Sequence, residues 1–252
     1  MARRRGTQRR RRGRFSFIYK LLTVLTICAA LVTALTLFFR VEVIDVAGNV
    51  RYTEEDIRKA CGVELDSNMF MLNKYEVQAR IRDALPYIET VRINRKLPDH
   101  LVVTVTECSH VYAVTQDGVA WVFSGAGKIV DRMEAKEGRH LPQVDGCVLM
   151  APSVGTKIVL EESEGQEKQK SLLELLAAAE KAQVVGRISA CHLEDPFVLT
   201  MDYAGRFQVR MPYKADYTYL ITYLERVMEQ LGSNETGIID LTIKGEAHVL
   251  TD

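Results

Sequence analysis

From Leu21 to Phe39 the chain runs nineteen residues without a charge, LLTVLTICAALVTALTLFF. No polar face interrupts the run over about five turns, so it lacks the one-sided pattern of a core-packing helix. At ~1.5 Å rise per residue it spans roughly 28 Å, close to the hydrocarbon core of a bilayer. Phe15, Phe17, Ile18 and Tyr19 extend it, and Lys20 can carry its charge out to the headgroups. The pattern predicts an uncleaved signal anchor over residues 15–39. A cleaved signal peptide is the rival reading, but its apolar region runs about 7–15 residues and ends in small residues. This run is longer and ends in Phe38-Phe39-Arg40.

Beyond the anchor the period shortens. Val41 to Val46 alternates, which predicts a strand ended by Gly48-Asn49. Thr53 followed by Glu54, Glu55 and Asp56 opens a helix, with a capping hydroxyl and acids where the helix dipole favours them. Ile57 and Cys61 face inward on it, and Gly62 stops it. Asn73 caps a second helix, with Val77, Ile81 and Leu85 at four-residue spacing and Pro86 as the end. Tyr87 to Asn94 and Leu101 to Thr106 are strands around the turn Lys96-Leu97-Pro98-Asp99. Strand, helix, helix, strand, strand over about 65 residues describes a small unit with one sheet and both helices on one face.

The remainder reads as a second unit. Gln116-Asp117-Gly118 between Val111–Thr115 and Val119–Phe123 is a strong hairpin signal. Ser124 to Gly127 turns into Lys128–Asp131. Lys168 to Gln183 is helical, with Leu172, Leu175, Leu176 and Ala179 on one side. Arg187–Cys191, Phe197–Tyr203 and Arg206–Met211 are strands, the last two joined at Ala204-Gly205. Lys214 to Leu231 is a second helix whose stripe (Tyr217, Leu220, Ile221, Leu224, Val227, Met228, Leu231) reads as core, with Gly232 ending it. Gly237 to Ile243 is the terminal strand. The fold class is therefore α+β: one N-terminal transmembrane helix, a small β-α-α-β-β unit, and a mainly antiparallel β unit with two helices.

Charge sets the topology. Lys plus Arg and Asp plus Glu are 33 each, so the formal net charge is zero. The zero is a sum of unlike parts. Arg3, Arg4, Arg5, Arg9, Arg10, Arg11, Arg12 and Arg14 crowd the N-terminus with no acid, whereas residues 41–252 hold 23 basic and 33 acidic side chains. The positive-inside tendency puts residues 1–14 in the cytoplasm and residues 41–252 outside. An arginine run can also bind nucleic acid, but beside an anchor, topogenesis and anionic lipid explain it more simply. No nucleic-acid partner is expected.

Candidate chemistry changes the picture little. Cys28 lies in the anchor as a small apolar filler; Cys61, Cys108, Cys147 and Cys191 face the exterior at wide, irregular spacings. Those four permit three disulfide pairings, with isolated buried thiols as the alternative. There is no C-x-x-C for zinc. Cys191-His192 is the one adjacency resembling a nucleophile and base, yet neighbours on a strand point to opposite faces. No G-x-S-x-G, S-x-x-K, H-E-x-x-H or P-loop occurs. Gly125-Ala126-Gly127 reads as a turn, and Glu161, Glu162, Glu164 and Glu167 as a solvated linker and helix start. No catalytic residue, cofactor, metal or small-molecule substrate is expected.

The motifs in combination resemble a family. Phe39-Arg40-Val41-Glu42-Val43-Ile44-Asp45-Val46-Ala47-Gly48-Asn49 looks like the opening strand of a POTRA domain set directly after a signal anchor. Leu85–Ile93 followed by Arg95–Glu107 looks like the P-x-V-x-x-V-x-V-x-R-x-x-P-x-x-L-x-V-x-V-x-E signature of the FtsQ/DivIB cell-division proteins. Ile88 replaces a usual Val, and Cys108-Ser109-His110 replaces a Pro-containing exit. Leu141-Pro142-Gln143-Val144-Asp145-Gly146 resembles the family's L-P-x-l-x-G loop, and Ile239-Asp240-Leu241 its C-terminal pattern.

The resemblance implies a cytoplasmic tail (1–14), a transmembrane anchor (15–39), a POTRA domain (40–109) and a β domain (110–252). It implies a non-enzymatic bitopic protein of the bacterial division septum, bound to FtsB/DivIC-type and FtsL-type membrane proteins and helping to regulate septal peptidoglycan synthesis. The POTRA unit offers a second surface, for an upstream division protein or for self-association. Partner binding by strand addition falls on Ile238–Val249, with Ile239, Leu241, Ile243, Gly245 and Ala247 as site residues. The competing reading is a membrane-anchored cell-wall enzyme.

Overall fold

The structure is a computed structural model, and it describes residues 13–161 and 165–251. Residues 1–12, with seven of the eight tail arginines, and Glu162 and Glu164 of the acidic run lie outside the described residues. Helix α1 covers Gly13–Phe38, and its Phe17–Phe38 portion has a mean hydropathy of 2.4. Along that portion no other part of the described residues buries the side chains. Its threonines need no water: Thr23, Thr26 and Thr33 each donate Oγ1–H to the carbonyl four residues earlier, at 2.8–2.9 Å. Satisfying polar groups within the helix is what hydrocarbon requires.

Next comes a three-stranded sheet made of β1 (Val43–Ala47), β2 (Ile88–Lys96) and β3 (His100–Glu107), in the order β1-β3-β2. Strand β3 is central, parallel to β1 and antiparallel to β2. Helices α2 (Glu54–Cys61) and α3 (Lys74–Ala84) lie between β1 and β2 in sequence. Thr53 and Asp56 form a reciprocal capping box at the start of α2, and Gly62 closes it at φ 57°. The Asn73 side chain accepts from Tyr75 N–H at the start of α3. Ile57, Cys61, Val77 and Ile81 pack on Ile93, Leu101, Val103 and Val105, the alternating face the sequence predicts. Strand β1 starts two residues later than expected. Val41 instead exchanges backbone bonds with Asp66 and Ser67, which removes it from the ladder.

A second sheet holds nine strands in the order β12-β11-β10-β9-β8-β7-β4-β5-β6. They are β4 (Val111–Gln116), β5 (Val119–Ser124), β6 (Ile129–Glu134), β7 (Gln143–Asp145), β8 (Ile188–His192), β9 (Val198–Tyr203), β10 (Phe207–Pro212), β11 (Gly237–Asp240) and β12 (His248–Thr251). A short helix α4 (Ala135–Gly138) follows β6. Helices α5 (Gly165–Lys181) and α6 (Tyr217–Gln230) supply Leu172, Leu175, Leu176, Leu220, Ile221 and Leu224 to one core with Leu199, Met201, Tyr203 and Val209. The β4–β5 turn has both Asp117 and Gly118 at positive φ, 51° and 79°, as a two-residue hairpin of primed type demands.

Three expectations need correction. Residues 141–146, expected as a loop, contain β7, which is parallel to both β4 and β8 and joins the two halves of the sheet. Helix α6 begins at Tyr217 rather than Lys214, because Lys214 sits at φ 60° and Asp216 is the cap. The helix also ends before Gly232: Leu231 is already extended at ψ 144°, so no left-handed glycine is used. The mixed α+β class is as expected.

Candidate protein-interaction edge

The C-terminal segment is built around a buried strand. Gly237 opens β11, which runs parallel to β10 from Phe207↔Gly237 to Arg210↔Asp240. Its N–H donates to Arg206 C=O at 3.2 Å. Arg206 Nη1 in turn donates to the carbonyls of Gly232 and Ser233 at 2.8 and 2.7 Å, fastening the approach to the strand. Ile239 and Leu241 alternate inward and are 0 % and 1 % exposed. The Leu241 N–H still donates to Arg210 C=O at 2.9 Å.

The ladder then stops for a chemical reason. Asp240 Oδ1 accepts from both the N–H and the hydroxyl of Thr242, at 2.9 and 2.6 Å. That local bond turns the chain away from a strand. Burial opposes ionisation of Asp240, but the Thr242 bonds, with Arg210 and His248 nearby, outweigh it and hold the carboxyl below the usual carboxylate range. Gly245 follows at φ 83°, in open space. The chain returns as β12, antiparallel to β11 with Asp240↔His248 and Gly237↔Thr251 paired.

This revises the expected single strand over Ile238–Val249. The segment is a hairpin, and β11 has both its edges occupied, by β10 and β12. The outer edge belongs to β12, a strand that sequence reasoning placed only in part. Of the five site residues, Ile239 and Leu241 point into the core, so their side chains are inaccessible. Ile243 and Gly245 lie exposed in the connecting loop, and Ala247 is half-buried against the core. Leu250, on β12, is 65 % exposed. The signal that could have found it was Gly245 as a turn, followed by the apolar pair Val249-Leu250.

The candidate nucleophile pair separates as strand geometry requires. Cys191 is fully buried, and burial pushes its thiol up to about 12, with Asp202 and Asp145 adding to the effect. His192 points the other way, its Nε2 3.3 Å from Asp202 Oδ2. The five cysteines are free thiols. Among the described residues no group of three His, Cys, Asp or Glu is placed to hold a metal ion.

Comparison with known proteins bears on the family. Residues 39–107 match the family model described as the POTRA domain, FtsQ-type. The cell division protein DivIB of Clostridium tetani is 27% identical over 139 residues, 55% of this chain and 52% of that protein. The cell division protein FtsQ of Syntrophotalea carbinolica is 28% identical over 204 residues, 81% of this chain and 70% of that protein. The chain resembles the FtsQ/DivIB proteins, and residues 39–107 are the part that the FtsQ-type POTRA model matches. Against the DivIB proteins of C. tetani and Clostridium botulinum the match spans only about half the relative's length, 52% and 56%. The FtsQ-type POTRA match coincides with the three-stranded sheet and its two helices. Both relatives are named as cell division proteins.

Proposed function

We propose that this chain is a bitopic protein of the division septum that works by binding, without catalysis. Residues 1–14 form its cytoplasmic tail, 15–39 its anchor, 40–109 its POTRA domain and 110–252 its β domain. The exported part holds an FtsB/DivIC-type partner, and with it an FtsL-type partner, and so helps regulate septal peptidoglycan synthesis. The observation that carries the reading is the outer edge of β12, which no strand among the described residues covers. In an antiparallel pair only alternate residues bond inward, so the others turn N–H and C=O outward, ready to complete with a partner strand. Leu250, Ile243 and Ala247 would flank that strand, and Gly245 lets backbones approach. Ile239 and Leu241 would support the edge from the core rather than touch the partner.

A proline scan tests it. Proline at Thr242 would disrupt the bonds to Asp240 and so would report on the loop, not the edge. Proline at each of His248, Val249 and Leu250 is the better set, because neighbours on a strand alternate between the two sides. At least one variant should keep its unfolding midpoint and lose co-purification with the FtsB/DivIC-type partner. Retained binding in all three folded variants would refute strand addition. A fluorescent fusion spread evenly round the membrane, with no midcell band, would refute the septal role.

A further inference from the structure

Exposed apolar side chains gather at one end of the POTRA sheet, the end that meets α1. Leu65 is 61 %, Phe70 52 %, Met71 83 % and Leu97 54 % exposed. Three backbone bonds zip this loop to the exit of the helix: Met69 N–H to Phe39 C=O at 3.0 Å, Val41 N–H to Ser67 C=O and Asp66 N–H to Val41 C=O, both at 2.9 Å. Asn68 is the knuckle. Its Nδ2 donates to the Thr36 carbonyl, inside the apolar span, at 3.3 Å, and its Oδ1 accepts from Phe70 and Met71 N–H at 2.8 and 3.1 Å. Met69 is wholly buried in the domain core, which turns its neighbours outward. The Phe70 ring meets Phe39 edge-to-face, centroids 5.1 Å apart. Leu97 is at the same end, because two residues on, in the same turn, the Asp99 carbonyl accepts from Glu42 N–H at 2.9 Å.

We propose that the loop tip around Phe70 and Met71 seats in the outer-leaflet interface of the bilayer, a second membrane contact that fixes how the POTRA domain stands on its anchor. The proposal rests on α1 crossing the membrane. Thr36 lies two residues from the end of the apolar span, so a loop bonded to its carbonyl reaches the depth where that span ends. An exposed Phe and Met there, with Arg95 beside Phe70 and donating to Leu72 C=O at 2.9 Å, form the mixed apolar and cationic surface that an interface favours. A lipid surface is the occupant this geometry selects, because the tip continues the apolar surface of α1 through the Phe39–Phe70 contact.

The test uses the full chain in vesicles of phosphatidylcholine and phosphatidylglycerol, with Trp121→Phe removing the single native tryptophan. Phe70→Trp and Met71→Trp are the reporters, read by emission wavelength and by quenching from a spin label carried near the lipid headgroup. Leu31→Trp reports on α1 itself. Val50→Trp is the distant control: Val50 N–H donates to Glu107, seven residues along β3 from His100 and so roughly 23 Å from the helix end of the sheet. Blue-shifted, quenched emission at residues 70 and 71, with Val50→Trp unquenched, is the expected result. Blue-shifted emission at Leu31→Trp with water-like emission at both tip positions overturns the proposal and leaves the anchor intact. Equal quenching at Val50→Trp overturns it too. Water-like emission at Leu31→Trp refutes the anchor and the proposal together.

Discussion

Tyr87, the residue before β2, donates its phenol to Asp131 Oδ2 of β6 at 2.8 Å, so the bond links the two sheets. Around this bond the POTRA and β units are joined by several weaker contacts. Tyr87, Val122 and Val130 form a small apolar cluster with Tyr52 and Val111. The Arg51 guanidinium lies over the Tyr87 ring at 3.8 Å, and Lys128 Nζ donates to the Arg82 carbonyl at 2.9 Å. Glu107, the last residue of β3, accepts from the N–H groups of Val50, Arg51 and Tyr52 and so fixes the loop that presents Arg51. Burial, and then the Asp131 carboxylate, raise the Tyr87 hydroxyl well above the ordinary tyrosine range. The phenol therefore stays a donor across neutral pH.

Tyr87→Phe should remove the bond and leave the packing. A hydrogen bond to a charged acceptor is worth about 1.5–3 kcal/mol, and the half-exposed Asp131 can recover part of that from water, so the expected loss is about 1 kcal/mol. Tyr87→Ala also opens the apolar cluster and should cost about 3 kcal/mol. Urea unfolding of the full chain in detergent measures both. Equal losses for the two variants would show that the hydroxyl, not the ring, holds the junction.

Local chemistry was legible in the sequence where it acts within a few residues. Thr53 with Asp56, Asn73, and Asp117-Gly118 each stand where the residue type demands, because caps and tight turns are decided by neighbours. What was missed is set at a distance. Gln143–Asp145 reads as a loop because three residues carry no period; only β4 and β8 on either side make it a strand. The terminal segment reads as one strand because Ile239, Leu241 and Ile243 alternate. Its break depends on the Asp240 side chain competing for the Thr242 N–H, and the role of β12 depends on β11 being already paired on both sides. The apolar stripes of α5 and α6 were readable as core because a buried face must repeat at the helical period.

Two glycines at positive φ should respond differently to alanine. At Gly118 (φ 79°) an added Cβ meets nothing within 4 Å, so Gly118→Ala carries only the left-handed backbone cost of about 1–2 kcal/mol. At Gly48 (φ 84°) the new Cβ would collide with the Val105 carbonyl oxygen, in the central strand of the POTRA sheet. Gly48→Ala should cost clearly more than Gly118→Ala. Thermal unfolding of the pair decides it, and equal shifts would mean that β3 yields freely at Val105.

Cys191 discriminates binding protein from enzyme. A thiol raised from 9.0 to about 12 by burial holds almost no thiolate at neutral pH. Native protein should resist iodoacetamide at Cys191 and react there only when unfolded; rapid native alkylation would revive a nucleophilic role. The same shift predicts base sensitivity. The folded state binds the proton more tightly than the unfolded state, so this contribution to stability is complete below about pH 9 and is lost as pH rises towards 12. Cys191→Ala should lessen that alkaline loss while leaving partner binding unchanged.

Gly237→Ala tests whether β12 must be docked for the edge to work. Gly237 sits at φ 143°, and a Cβ there would strike the Leu250 carbonyl of the paired strand. The wedge falls between β11 and β12, at the end where Gly237 faces Thr251. Ile239 and Leu241 lie beyond it and keep their core contacts, so the unfolding midpoint should fall only by the equivalent of about 1–2 kcal/mol. Hydrogen exchange at residues 248–251 should accelerate far more than in β9 or β10, because a short edge strand opens locally without global unfolding. If β12 is the template for a partner strand, co-purification with the FtsB/DivIC-type protein should drop in step with that local opening. Faster exchange with undiminished binding would move the interaction away from β12, to the exposed Ile243–Glu246 loop that precedes it.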